Sequence, residues 1–286
     1  KRPLLLTNPT SLSPLLYKDM DMAQLLGAAE YDIPVAANSL PVLGATAPGT
    51  IAGTVLLQSV ELLAFLVMSQ MFKPGLPFIA TVFNTTMDLG TGNALLASSE
   101  TILTRAATAQ FCKAAFNVPV ETFSLMADSY LPDGQTAAEK TLQPAVLSMA
   151  GADILYGAGR LGGSTLASAV QLIIDDRLLA VVQRTVAGVE VDDETLAVDE
   201  IIGAGAGGHY LRRKHTLRHC REMIRPDLFV PDVLDNWIAG GRKDLQTRAT
   251  ELYREMKKGL EPLDLPDDVK RDMDNVVKAA DKALAN

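Results

Sequence analysis

A (βα)₈ barrel of the TIM type is the fold class this sequence predicts, on two observations. Up to about residue 190 the chain repeats one beat: a short apolar run, a polar or glycine-containing turn, then a longer helical stretch. The apolar runs also end in polar residues, as in Thr7-Asn8, Asn38-Ser39, Asn84-Thr85-Thr86, Asp128-Ser129 and Tyr156-Gly157. A barrel shows that asymmetry because its site is built from loops at the carboxyl ends of the strands. A doubly wound open sheet would share it.

The expected strands are residues 3–7, 33–37, 77–83, 118–124 and 152–156. Several begin at or just after a proline (Pro3, Pro34, Pro77, Pro119), which ends the preceding helix and suits a strand start. The expected helices cover roughly residues 15–31, 50–72, 98–117, 137–150 and 164–187. Five units are visible where a barrel needs eight, and the chain starts without methionine, almost directly in a strand. The reading is therefore that residues 1–190 supply the last five β/α units, with N-terminal units missing. From Val191 the pattern changes to helices with charged faces, such as 245–260 and 267–284, so residues 191–286 read as a helical C-terminal extension with no further strand.

Composition narrows the function classes. The 286 residues carry a net charge of −8, and Arg212-Arg213-Lys214 is too short a basic stretch to attract a phosphate backbone, so nucleic acid is not an expected partner. Cys112 and Cys220 stand singly, without a disulfide framework or metal spacing, and are expected as buried or inert thiols in a reducing cytoplasm. The longest apolar stretch, residues 51–71, is interrupted by Gln58, Glu61 and Gln70 and reads as a buried helix rather than a membrane span.

Three segments carry candidate chemistry. All three histidines fall within eleven residues, after the glycines of Gly205-Ala206-Gly207-Gly208-His209-Tyr210. His215 and His219 share a helix face, but Thr216 stands where a zincin helix carries glutamate and no Cys-rich second ligand set follows, so no metal is expected. His209, on the flexible stretch, is the candidate site residue, with Gly208 beside it. Gly157-Ala158-Gly159-Arg160-Leu161-Gly162 matches a dinucleotide fingerprint literally, yet Asp175-Asp176 lie inside a helical period instead of ending a second strand. A glycine-rich loop at the mouth of a barrel is the better reading, with Gly157 and Gly159 near a ligand. The loop Asp128-Ser129-Tyr130-Leu131-Pro132-Asp133-Gly134-Gln135 packs carboxylates, a phenol and a carboxamide together; Asp133 serves equally well as a helix cap.

Taken together, Gly44-Ala45-Thr46-Ala47-Pro48 with Ala52-Gly53, the stretch from Asp128 to Gln135…Glu139-Lys140, Gly157-Ala158-Gly159, and Gly207-Gly208-His209-Tyr210…His215-Thr216-Leu217-Arg218-His219 resemble the trimethylamine methyltransferase (MttB-like) family. The resemblance runs nearly the whole chain, in order. It implies a barrel enzyme that moves a methyl group from a methylated amine to the Co(I) of a corrinoid carried on a separate small protein, and no metal bound directly. Family members acting on trimethylamine carry pyrrolysine; this chain has only standard residues, with Tyr130 or a neighbour in that place. A quaternary amine such as glycine betaine is the implied substrate, with a tertiary amine as the other choice. The expected catalytic residues are Asp128, Tyr130 and His209, with Asn8, Asn38, Phe83, Asn84, Gln135, Tyr156, Gly157, Gly159 and Gly208 around the substrate. A cytoplasmic homo-oligomer is expected. A non-catalytic barrel binding methylated ammonium compounds, or an unrelated barrel lyase or isomerase, is the alternative.

Overall fold

In the computed structural model, residues 3–224, 227–229, 232–260 and 264–284 are described, in two units, 1–249 and 250–286. The first is built on a five-stranded sheet: β1 (Thr10–Ser11), β2 (Val35–Ser39), β3 (Phe78–Val82), β4 (Val120–Phe123) and β5 (Ile154–Tyr156). All four pairings are parallel, and the spatial order follows the chain. A doubly wound sheet reverses its order at a switch point. This one does not, and a sheet that advances in one direction is compatible with part of an α/β barrel.

Between the strands lie α1 (Asp19–Tyr31), α2 (Ile51–Phe72), α3 (Ser99–Phe111) and α4 (Gly134–Met149), with α5 (Ala169–Val186) after β5. Their starts are set locally. Thr50, Ser98, Asp133 and Ser168 accept the amide of the residue three positions on, relieving one orphan donor of the first turn. Successive helices pack on each other, and Leu25, Leu62, Phe65 and Ala109 bury against Val35, Ala37, Ala80, Val82 and Val120.

Two expected elements shift. The first strand pairs at Thr10–Ser11, with only a single bridge from Thr7 to Val35, because Pro9 between them has no amide for the ladder. The fifth helix starts at Ala169, later than expected: Gly162, Gly163 and Ser164 take positive φ (55°, 60°, 75°) and turn a hairpin of Arg160–Leu161 with Leu166–Ala167. Cys112 is buried, and burial pushes its thiol up to about 12. Cys220, expected inert, is exposed. Helices Leu245–Lys258 and Asp267–Leu284 form where expected, and among the described residues no strand follows Ala167.

α2 is long and apolar enough to cross a membrane. Its buried stripe is Thr54, Gln58, Ser59, Glu61, Leu62, Phe65 and Ser69, the spacing of a helix docked along one face. Polar residues occupy the first half of that stripe and the largest apolar ones its centre. The division recurs in α4 (Thr136, Lys140, Gln143, then Pro144 and Leu147), and the buried face of α3 carries Thr101, Thr104 and Arg105 beside Ile102 in its first half.

Candidate active site

A helix that follows a strand begins at the strand's carboxyl end, so those polar half-stripes lie against the backbone groups the sheet leaves unpaired. Buried backbone groups need partners, and one helix after another supplies them. Glu61, fully buried, accepts the hydroxyls of Ser11 (2.8 Å), Ser13 (2.8 Å) and Ser39 (2.6 Å) and the amide of Leu15 (2.8 Å). Gln58 donates to the carbonyls of Ser39 (2.9 Å) and Phe83 (3.2 Å) and accepts from Asn84 (3.0 Å). Arg105 donates to the carbonyls of Asn84 (2.7 Å) and Phe123 (2.7 Å) and to Gln143 (3.1 Å). Gln143 in turn reaches the Met126 carbonyl at 2.7 Å. From α5, Asp175 accepts the Gly159 amide (2.7 Å), Gln171 (2.7 Å) and Lys140 (2.7 Å). These buried ties hold the carboxyl ends of the five strands at one edge.

Residues that alternate with the core-facing positions form the other face of the sheet. Near its carboxyl edge that face carries Phe83, Phe123 and Tyr156, with ring centroids 4.0 Å (Phe83–Phe123) and 3.8 Å (Phe123–Tyr156) apart. One pair of residues back along β4 and β3, Thr81 donates to the Glu121 carboxylate at 3.3 Å. Burial lifts the Glu121 carboxyl above its ordinary value, against that hydrogen bond. Burial, and then the nearby Glu121, raise the Tyr156 phenol as well, so it stays protonated. The Arg105 guanidinium lies 5.2 Å from the Phe83 ring centre; desolvation lowers it to about 9, opposed by Asp128 and Tyr156, and it remains cationic at neutral pH.

Among the described residues, eight buried side-chain polar atoms lack a hydrogen-bond partner, and five of them belong to Asn38, Asn84, Thr85, Ser124 and Arg105. All five residues lie at strand ends or, for Arg105, bind them. An unsatisfied buried polar atom costs about 1–3 kcal/mol, and these five gather at the carboxyl edge of the sheet.

The sequence-derived candidates divide. Phe83 and Tyr156 belong to the aromatic group, and Asn38 and Asn84 to the set of unpartnered atoms. Asn8 is exposed and donates to the Ala36 carbonyl at 2.7 Å. Asp128 holds the amides of Leu96 (2.9 Å) and Ala97 (3.1 Å), and its own amide donates to Glu139 (2.9 Å). It lines a cavity of about 370 Å³ together with Tyr130, Leu96, Gly162 and Thr165. Tyr130 is exposed, and its ring lies so close over Gly162 that a Cβ there would stand 2.6 Å from it. Gln135 pairs with Glu139 at 2.8 Å, and Asp133 caps α4. Gly157 and Gly159 turn the chain with φ of 108° and 76°. The Gly159 amide, which a dinucleotide phosphate would need, is taken by Asp175. His209 lies on exposed coil. A Cβ on Gly208 would meet the Ala204 carbonyl oxygen at 2.1 Å, so that position excludes a side chain. Sequence reasoning missed Glu121, Phe123 and Arg105.

Aromatic rings beside a carboxylate are groups that can hold an organic cation. The family description "Trimethylamine methyltransferase (MTTB)" matches residues 1–284. The chain belongs to this family. It is 31% identical over 278 residues to trimethylamine methyltransferase MttB of Desulfitobacterium hafniense (strain DSM 10664 / DCB-2), covering 97% of this chain and 56% of that protein. It is 32% identical over 260 residues to MttB of Methanosarcina barkeri (strain Fusaro / DSM 804), covering 91% and 52%. Against the glycine betaine methyltransferase of D. hafniense (strain Y51) it is 30% identical over 250 residues, covering 87% and 51%. The chain thus spans about half the length of the curated relatives it matches.

Proposed function

We propose that this protein transfers a methyl group from a quaternary methylated amine of the glycine betaine type to the cobalt of a corrinoid borne by a separate protein, and that the five β/α units belong to a (βα)₈ barrel. The observation that carries the reading is the Phe83–Phe123–Tyr156 group with Glu121 beside it. A quaternary ammonium has no N–H to donate, so it is recognised by ring faces and by negative charge, at about 0.5–2 kcal/mol per cation–π contact. The cation is assigned to Glu121 rather than to Asp128, because the Asp128 carboxylate oxygens already hold two backbone amides.

Quaternary substrates suit a site of this make-up. Their leaving group is a neutral tertiary amine, so no residue must supply a proton, and the Thr81–Glu121 pair and the aromatic rings need only orient the cation. The chain's task is positioning: methyl carbon, nitrogen and acceptor held in line. The corrinoid is a second substrate arriving on its carrier and supplies the nucleophile. Buried Arg105 and Gln143 fix the strand ends from which the rings project. His209 and Tyr130, on exposed segments, are assigned to the rim, where an imidazole would donate to a betaine carboxylate. Activity in the cytoplasm follows from the same reading. Calorimetry with glycine betaine and with 3,3-dimethylbutanoate, its isostere with carbon in place of the charged nitrogen, tests the site. Betaine should bind at least tenfold more tightly; equal affinities would overturn the cation assignment.

A further inference from the structure

The sequence offers two histidines at helical spacing and no third ligand; the fold supplies one. His215 and His219 lie on the helix Lys214–His219 with ring centres 4.3 Å apart. Glu194, more than twenty residues earlier on the short helix Asp193–Leu196, is folded against them. One ligand atom from each of the three residues lies within 4.8 Å of the others. His219 Nε2 is 3.3 Å from Glu194 Oε1, and His215 Nε2 is 3.0 Å from the Glu194 main-chain oxygen.

A second observation points the same way. His219 Nδ1 lies 2.9 Å from each carboxylate oxygen of Glu222. With Nδ1 engaged by Glu222, the ring turns Nε2 toward Glu194, the carboxylate–histidine arrangement that orients imidazole ligands toward metals. Arg218 occupies Glu194 Oε1 at 2.9 Å, and its side chain is 63% exposed, so it can leave for water when a cation arrives.

We propose that Glu194, His215 and His219 form a binding site for a divalent ion of the zinc class, with Glu222 as the outer carboxylate. Two imidazole nitrogens and one carboxylate oxygen match zinc's ligand preferences and leave a fourth position for water. The ion would join two helices that no strand connects. In doing so it would clamp the segment between them, which carries Gly205, Gly207, Gly208 and His209. The inference is independent of the methyl-transfer reading.

Chelator-treated protein titrated with ZnCl₂ in a calorimeter should bind one equivalent with a micromolar or lower dissociation constant, and Zn²⁺ should raise Tm. His215→Ala and Glu194→Gln should each abolish both effects, and Glu222→Gln should weaken binding about 10–100-fold. Co²⁺ added to the unmutated protein should give the intense visible bands of a tetrahedral site, a readout that holds even where a variant fails to fold. Absence of binding at 100-fold the expected micromolar range, a pale six-coordinate Co²⁺ spectrum, or one equivalent retained by His215→Ala would each overturn the assignment.

Discussion

Asp175→Asn tests how the candidate site is held. In the native fold three donors converge on the Asp175 carboxylate: Lys140 Nζ, the Gly159 amide and Gln171 Nε2, each at 2.7 Å, with both charged side chains 0% exposed. Desolvation pulls the Lys140 ammonium below its ordinary range, opposed by Asp175, so the pair persists because each charge has the other. Asparagine offers one acceptor oxygen and turns its own N–H₂ toward a donor. At least one donor is then unsatisfied, at about 1–3 kcal/mol, and Lys140 is an unpaired buried charge. Breaking a buried pair from one side costs about 3–5 kcal/mol, a large part of the about 5–15 kcal/mol that holds a typical domain together. Urea unfolding followed by circular dichroism should show that loss as a midpoint lowered by about 1–2 M. Lys140→Met combined with Asp175→Asn should recover at least 2 kcal/mol (~2, the gain from removing the stranded ammonium). An Asp175→Asn protein within about 1 kcal/mol of the unmutated one would refute the reasoning.

The remaining expectations concern the aromatic and acidic group. Glu121→Gln should weaken betaine binding by about tenfold or more in calorimetry, since it removes the charge facing the ammonium. The same variant should be more stable than the unmutated protein at pH 7. A carboxyl lifted by burial binds its proton more readily folded than unfolded, so native stability falls as pH rises through the ordinary glutamate range to the raised value, and the variant lacks that loss. Melting curves from pH 4 to 8 (roughly the carboxylate window) should show the gap closing toward acid; a gap that widens there reverses the assigned sign. Phe123→Leu, at the centre of the ring group, should lower betaine affinity by about 1 kcal/mol, the scale of a lost cation–π contact, and leave 3,3-dimethylbutanoate unaffected.

The sequence shows the fold and the site to different degrees. The strand-helix beat was legible because apolar runs and caps are local: Ser98 accepts its amide three residues on regardless of what the rest of the chain does. Pro9 was visible too, yet its effect on the first strand depends on which residues it lies beside. Charged residues on helices are ordinarily solvated, and that prior hides Arg105, Lys140 and Asp175. Their signal is spacing: Arg105 shares a stripe with Ile102 and Ala109, and Lys140 with Gln143 and Leu147. Glu121 and Phe123 read as the intermediate positions of an alternating strand, and only the parallel register of β3, β4 and β5 brings Phe83, Phe123 and Tyr156 into one group. The acid of the Asp128 loop was conspicuous in sequence, but in the fold it accepts the amides of Leu96 and Ala97, just before α3. Glu194 meets the histidines only through tertiary structure.

Methyl transfer from a quaternary amine is read directly in the absorption spectrum of cobalamin, chemically reduced to Co(I), mixed with the protein and glycine betaine under anaerobic conditions. The methyl-Co(III) spectrum should grow with one dimethylglycine formed per cobalt methylated, slowed in Glu121→Gln and Phe123→Leu and absent when trimethylamine replaces betaine. A folded protein that binds betaine but leaves Co(I) unmethylated, with its cognate corrinoid protein also supplied, would contradict it and favour a barrel that only binds methylated ammonium compounds.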